Sequence, residues 1–153
     1  MIEPYFHDSI LKRAIESNFI SYEFYNPRDF TTNKHKKVDD QMVGGGAGML
    51  LLCQPLFDCL NEIKSKDSDA YIIFPLAAAK PFRQNDAKRL AKKKNIVFVS
   101  GRYEGIDERV IEKYANEVFS IGEFVLTGGE LPSLVMADAI ARNVKDVLGN
   151  ADS

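Results

Sequence analysis

The chain has 153 residues, 45% of them apolar and 27% charged, with ten phenylalanines and a formal net charge of -2. That suits one globular domain with a sizeable core. It excludes a global positive field that would draw nucleic acid or membrane to the whole surface, although local clusters can still do so. The longest apolar runs, 49–53 and 96–99, are too short to cross a bilayer. Met1 followed by Glu3, Pro4 and His7 does not read as a secretory signal. Cys53 and Cys59 lack metal-ligand spacing, so they read as reduced thiols of a cytoplasmic protein.

In chain order, Asp8 or Ser9 can cap a helix carrying Leu11, Ala14 and Ile15 and ending near Asn18. Ile20, Tyr22 and Phe24 alternate with polar neighbours and predict a strand, stopped by Asn26-Pro27. Residues 28–48 are polar and glycine-rich without a sustained period, a long loop of the kind that often carries function. Pro55 suits the first turn of a helix bearing Leu56, Phe57, Leu60 and Ile63, and Tyr71 to Phe74 is a short β-type run. A helix over 84–94 would present a basic face of Lys88, Arg89, Lys92, Lys93 and Lys94. Residues 96–99, apolar on both faces, read as a central parallel strand. A helix over 107–114, a strand over 117–121 and a last helix opened by Leu131-Pro132 complete the pattern. Strands alternating with helices predict an α/β domain with a mainly parallel sheet and helices on both faces.

Three glycine clusters stand out. The run 44–48 lacks the Lys and Ser or Thr of a phosphate loop and follows no strand. It is either a surface loop or a place where backbone approaches a ligand. The second cluster, 100–109, begins where the 96–99 strand ends, at the carboxyl edge where open α/β sheets bind ligands. There Gly101 and Gly105 bracket Arg102, Tyr103 and Glu104, either as a tight turn capped by Asp107 or as part of a site. The third, 120–130, sets Gly122 and the pair Gly128-Gly129 around an apolar arch of Phe124, Val125 and Leu126. It is either a hairpin connection or a ligand loop, since bare backbone groups over an apolar floor suit a flat heterocycle. Asp138 and Arg142 lie one helical turn apart, either as an exposed ion pair or as a guanidinium held in position by its carboxylate.

These segments, in this order, resemble the bacterial tRNA (guanine-N1)-methyltransferases of the trefoil-knotted (SPOUT) class. The matching stretches include Asn26-Pro27-Arg28-Asp29-Phe30, Val38-Asp39-Asp40, residues 44–49, 101–110, 120–132, 138–142 and 147–150. The resemblance implies a C-terminal deep trefoil knot, S-adenosylmethionine held in it, a homodimer, and a tRNA substrate methylated at N1 of the guanosine 3′ of the anticodon. On that reading Gly101, Tyr103 and Gly105, with Ile121, Gly122, Glu123, Phe124, Val125, Leu126, Gly128 and Gly129, hold the cofactor. Glu104 would face the sulfonium, and Arg142 would stabilise charge on guanine O6. In the family a catalytic aspartate and a tRNA-gripping helical domain follow this region, and a strand with a Phe-Pro turn precedes it. The whole chain, 1–153, then corresponds to the cofactor-binding domain, expected to bind cofactor and to be poorly active alone. One departure concerns the rim: the family's Leu-Ser-Pro-x-Gly loop reads Pro75-Leu76-Ala77-Ala78-Ala79-Lys80 here. Two other functions fit fewer of these residues: a knotted methyltransferase acting on ribosomal RNA, and a non-catalytic RNA-binding module using residues 34–37 and the basic face of 88–94.

Overall fold

A computed structural model of the chain describes residues 3–30, 39–41, 49–51, 53–101 and 105–148. The glycine run 44–48, the basic stretch 34–37 and the trio Arg102, Tyr103 and Glu104 lie outside the described residues. Two three-stranded sheets form. In the smaller, β2 (Met49–Leu51) pairs antiparallel with β1 (Asp39–Gln41) and parallel with β5 (Gly105–Ile106). In the other, β3 (Tyr71–Pro75) lies between β4 (Ile96–Phe98) and β6 (Glu117–Phe119), and both pairings are parallel.

The central place belongs to β3, not to the 96–99 run. Ile72, Ile73 and Phe74 are fully buried, whereas every residue of β4 is only half-buried. An apolar stretch marks a buried strand but does not say which of two such strands has neighbours on both sides. The strand expected over Ile20 to Phe24 does not form. No neighbouring edge among the described residues supplies its backbone with partners. Its rings pack instead on the preceding 3-10 turn Glu3–His7, with Tyr22 stacked on Phe6 at 4.8 Å and Phe24 edge-on to Tyr22 at 5.4 Å.

Helices cover both faces of the parallel sheet. On one side lie α2 (Cys53–Lys66), with Pro55 in its first turn, and α4 (Glu108–Tyr114), whose cap Asp107 accepts from the Arg109 N–H at 2.9 Å. Their Leu56, Leu60, Ile63 and Val110 pack against Ile72 and Phe74. Cys59 belongs to the same cluster. Burial, with Asp29 and Glu62 nearby, pushes its thiol up to about 11, so it stays a protonated core residue.

On the other side, α3 (Gln84–Leu90) and α5 (Glu130–Ala141) bring Ala87, Leu90, Met136 and Ile140 onto Ile73 and Phe119. Burying a ring as large as Phe119 contributes about 1.5–3 kcal/mol. The helix α3 stops at Leu90, short of the expected 94, and Lys93 folds its ammonium over the Tyr71 ring at 4.5 Å. The first helix, α1 (Ser9–Glu16), is capped by Asp8, whose carboxylate accepts from the Ser9 N–H at 2.8 Å. It ends as its sequence predicts, with Asn18 in the left-handed region at φ 62°.

Candidate functional site

The carboxyl ends of β3, β4 and β6 meet at one edge of the sheet. Because the order is β4-β3-β6, the connection leaving β3 and the one arriving at β6 run to opposite sides of β3. Such a point opens a crevice between loops. Here Pro75, Leu76 and Ala77 enter it from β3, Gly101 from beyond β4, and Ser120, Ile121 and Gly122 from β6. The arch residues Phe124, Val125 and Leu126, with Gly128, Gly129 and Pro132, close the remaining wall. The cleft encloses about 160 Å³ of free space and opens to solvent along its mouth.

Backbone hydrogen bonds sew these loops together. The Leu76 N–H donates to the Phe119 carbonyl at 2.9 Å, and the Gly129 N–H to the Gly101 carbonyl at 2.6 Å. Ser120 is gripped twice: its N–H donates to the Lys80 carbonyl at 2.8 Å, and its carbonyl accepts from the Phe82 N–H at 2.8 Å. Its hydroxyl then braces the start of the arch, donating to the Gly122 carbonyl at 2.8 Å and accepting from the Gly122 N–H at 3.1 Å. At the foot of α5, the buried Ser133 hydroxyl pairs with that of Ser100 at 2.8 Å.

The glycines of the arch are needed for space, not for unusual torsions. Gly129 caps α5 at φ -87°, a value open to any residue. A Cβ there would stand 3.0 Å from the Gly101 nitrogen, 3.1 Å from the Ser100 Cα and 3.3 Å from the Pro75 Cγ. The 100–101 backbone and a proline ring converge on that point. At Gly122 a Cβ would run into the Phe124 ring, which lies over the turn. The arch itself is exposed, with Val125 85% and Phe124 52% accessible.

Of the residues expected to hold a cofactor, Gly101, Ile121, Gly122, Phe124, Val125, Leu126, Gly128 and Gly129 line this cleft together. Gly105 stands in β5 opposite Leu50, next to Ile106, which also lines the cleft. Glu123 is exposed and is not among the residues that line the cleft. Tyr103 and Glu104 are outside the described residues.

Arg142 is not at this cleft. It is the exposed C-cap of α5, while Gly129 is the N-cap, so at 1.5 Å per residue the two stand about 20 Å apart. Nor does Asp138 hold it: that carboxylate accepts instead from the Tyr5 hydroxyl at 2.6 Å. The segment Pro75, Leu76 and Ala77, which the resemblance puts at the rim, is a wall of the cleft, and sequence reasoning missed Pro132. Its position at the start of a helix beside Gly129 was the available signal. No cluster of His, Cys, Asp and Glu suited to a metal occurs among the described residues, and none of their helices is long and apolar enough to cross a membrane.

A sequence profile described as tRNA (Guanine-1)-methyltransferase TrmD matches residues 1–153. Proteins named tRNA (guanine-N(1)-)-methyltransferase align with all of the chain. That of Sulfurimonas denitrificans is 65% identical over 153 residues, which make up 66% of its own length. Those of a Sulfurovum species and of Campylobacter curvus are 65% and 61% identical, with 67% and 65% of their lengths covered. The chain thus spans about two thirds of the length of these relatives. A profile match over residues 1–153, with relatives 61–65% identical along the whole chain, makes this chain a member of the tRNA (guanine-1)-methyltransferase family.

Proposed function

We propose that the chain is the cofactor-binding domain of a tRNA methyltransferase that transfers a methyl group from S-adenosylmethionine to N1 of the guanosine 3′ of the anticodon. The observation that carries this reading is the cleft at the carboxyl edge, walled by backbone and apolar side chains from three loops. Exposed N–H and C=O groups of the arch can read the edge of an adenine ring while Leu76, Ile121 and Leu126 pack on its faces. S-adenosylmethionine supplies an electrophilic methyl group on a cationic sulfonium. The relatives' names carry tRNA, which favours that substrate over ribosomal RNA and supports a cytoplasmic reading. The double grip on Ser120 and the tie between Gly129 and Gly101 hold the chain after β6 against two earlier loops, as a trefoil knot requires.

The guanine must lose its N1 proton before it can attack, and the charge then spreads to O6. Arg142 is suited to stabilise that charge, and a donor of this kind contributes roughly 3 kcal/mol. Since Arg142 stands a helix length from the cleft of its own chain, it acts on the cleft of a second copy. The surface of α5 supports such a homodimer. The helix is apolar nearly all round, yet Leu131 is 58% and Val135 49% exposed, a face that water covers poorly and another protomer covers well.

Replacing Arg142 by alanine tests the assignment. Calorimetric affinity for S-adenosylhomocysteine is expected to stay at the wild-type value, while tRNA methylation by the complete methyltransferase that carries this domain falls by about 100-fold. Equal methylation rates would remove Arg142 from the reaction, and a loss of cofactor affinity would place it in the wrong site.

A further inference from the structure

At the amino end of β6, behind the cleft, one carboxylate gathers three partner side chains. Glu117 accepts from the Lys80 ammonium at 2.9 Å, from Arg89 Nη1 and Nη2 at 3.0 and 2.9 Å, and from the Tyr71 hydroxyl at 2.8 Å. Its side chain is only 12% exposed. Arg89 also reaches Asp86 at 3.1 Å, so α3, β3, β6 and the segment after β3 are tied at one point. Burial alone would raise the Glu117 carboxyl. The hydrogen bonds from Arg89, Lys80 and Tyr71, with the guanidinium charge, outweigh it and hold the group down at about 2. It stays ionised.

Lys80 is the link between this cluster and the cleft. Its side chain belongs to Glu117 and to the Phe119 ring, with the ammonium 4.8 Å from the ring centroid. Its carbonyl accepts the Ser120 N–H, and Pro81 is bridged to Ser120 directly. Ser120 in turn braces Gly122 through its hydroxyl. The segment that carries Lys80 also supplies the cleft wall at Leu76 and Ala77. It contains no glycine and has no helix or ladder of its own to fix it.

We infer that Glu117 and Lys80 are positioning residues for the cofactor cleft: their ion pair clamps the segment after β3 onto Ser120 and so fixes the start of the arch. For its effect on affinity the inference rests on the proposed cofactor site; for its geometry it does not. A wall displaced by a fraction of an ångström misaligns every backbone group that a ligand must meet.

The test uses Lys80→Met, which leaves the Arg89–Glu117 pair intact and so preserves folding, beside Lys80→Arg and Glu117→Gln. Amide hydrogen exchange at Ser120 and Gly122 is expected to rise about ten-fold or more in Lys80→Met, with a near-native melting temperature. Affinity for S-adenosylhomocysteine is expected to weaken about ten-fold in the same variant. Lys80→Arg restores both, a rescue that general loss of stability would not show, and Glu117→Gln reproduces the loss. Unchanged exchange at Ser120 and Gly122 in both Lys80→Met and Glu117→Gln overturns the inference. If the unsubstituted chain takes up no S-adenosylhomocysteine, the cofactor reading fails by itself and the exchange measurement still decides the positioning role.

Discussion

The two ends of β6 are built on opposite principles. At its amino end Glu117 is saturated by four charge-assisted or neutral hydrogen bonds from three side chains. At its carboxyl end, from Ser120 through Leu126, the chain offers backbone and apolar side chains, and Val125 is almost fully exposed. The difference teaches where rigidity and recognition are each placed. Charged side chains lock the strand from behind, where no ligand has to displace them. The front presents backbone and apolar groups, which cost less to desolvate than charged side chains, carried on the locked strand.

The amino end is where a single change costs most. The ordinary carboxyl value is 4.5 and the folded one about 2, a difference worth roughly 3 kcal/mol at most. Because the folded group titrates below the unfolded one, this contribution is complete above about pH 4.5. It fades as the pH falls toward 2. Glu117→Gln is therefore expected to lower denaturant stability by up to about 3 kcal/mol at pH 7, and the gap to the unsubstituted chain should close on acidification through that window. A gap that persists unchanged at pH 2.5 would show that shape, not charge, is what Glu117 supplies.

Gly129→Ala is expected to have a smaller effect on folding, about 1–3 kcal/mol from the close approach of Gly101, Ser100 and Pro75, measured by thermal unfolding. Its effect on S-adenosylhomocysteine affinity should be the larger one, since the added methyl group pushes on two cleft loops at once. Val125→Ser sharpens the contrast from the other side. At 85% exposure it should change stability by less than about 0.5 kcal/mol, yet it should weaken ligand binding measurably. A stability loss as large as that of Glu117→Gln would mean that the arch is scaffold after all.

Much of this was legible in the sequence. Caps and apolar stripes placed α1, α2, α4 and α5 close to their observed bounds, and the arch and Gly101 were assigned to one site before their proximity was visible. Local signals sufficed because each of those features is written in adjacent residues. What stayed hidden depends on partners far apart in the chain. The central position of β3 is decided by two strands that follow it, and the Ile20–Phe24 alternation is insufficient without an edge to pair with. The Glu117 cluster joins residues 28, 37 and 46 positions away, and nothing near Glu117 announces it. The resemblance puts Arg142 at the guanine, and its spacing to Asp138 could not show that α5 holds it about 20 Å from Gly129 of the same chain.

The central claim is that one cleft, formed by the Gly101 loop and the arch, holds the methyl donor. Backbone amide shifts measured during titration with S-adenosylhomocysteine test it most directly. The account predicts saturable shifts concentrated at Gly101, at 121–126 and at Gly128 and Gly129, with little change at Glu3–His7 or along α2. Saturable shifts centred elsewhere, or none at ligand concentrations that saturate related enzymes, would contradict it.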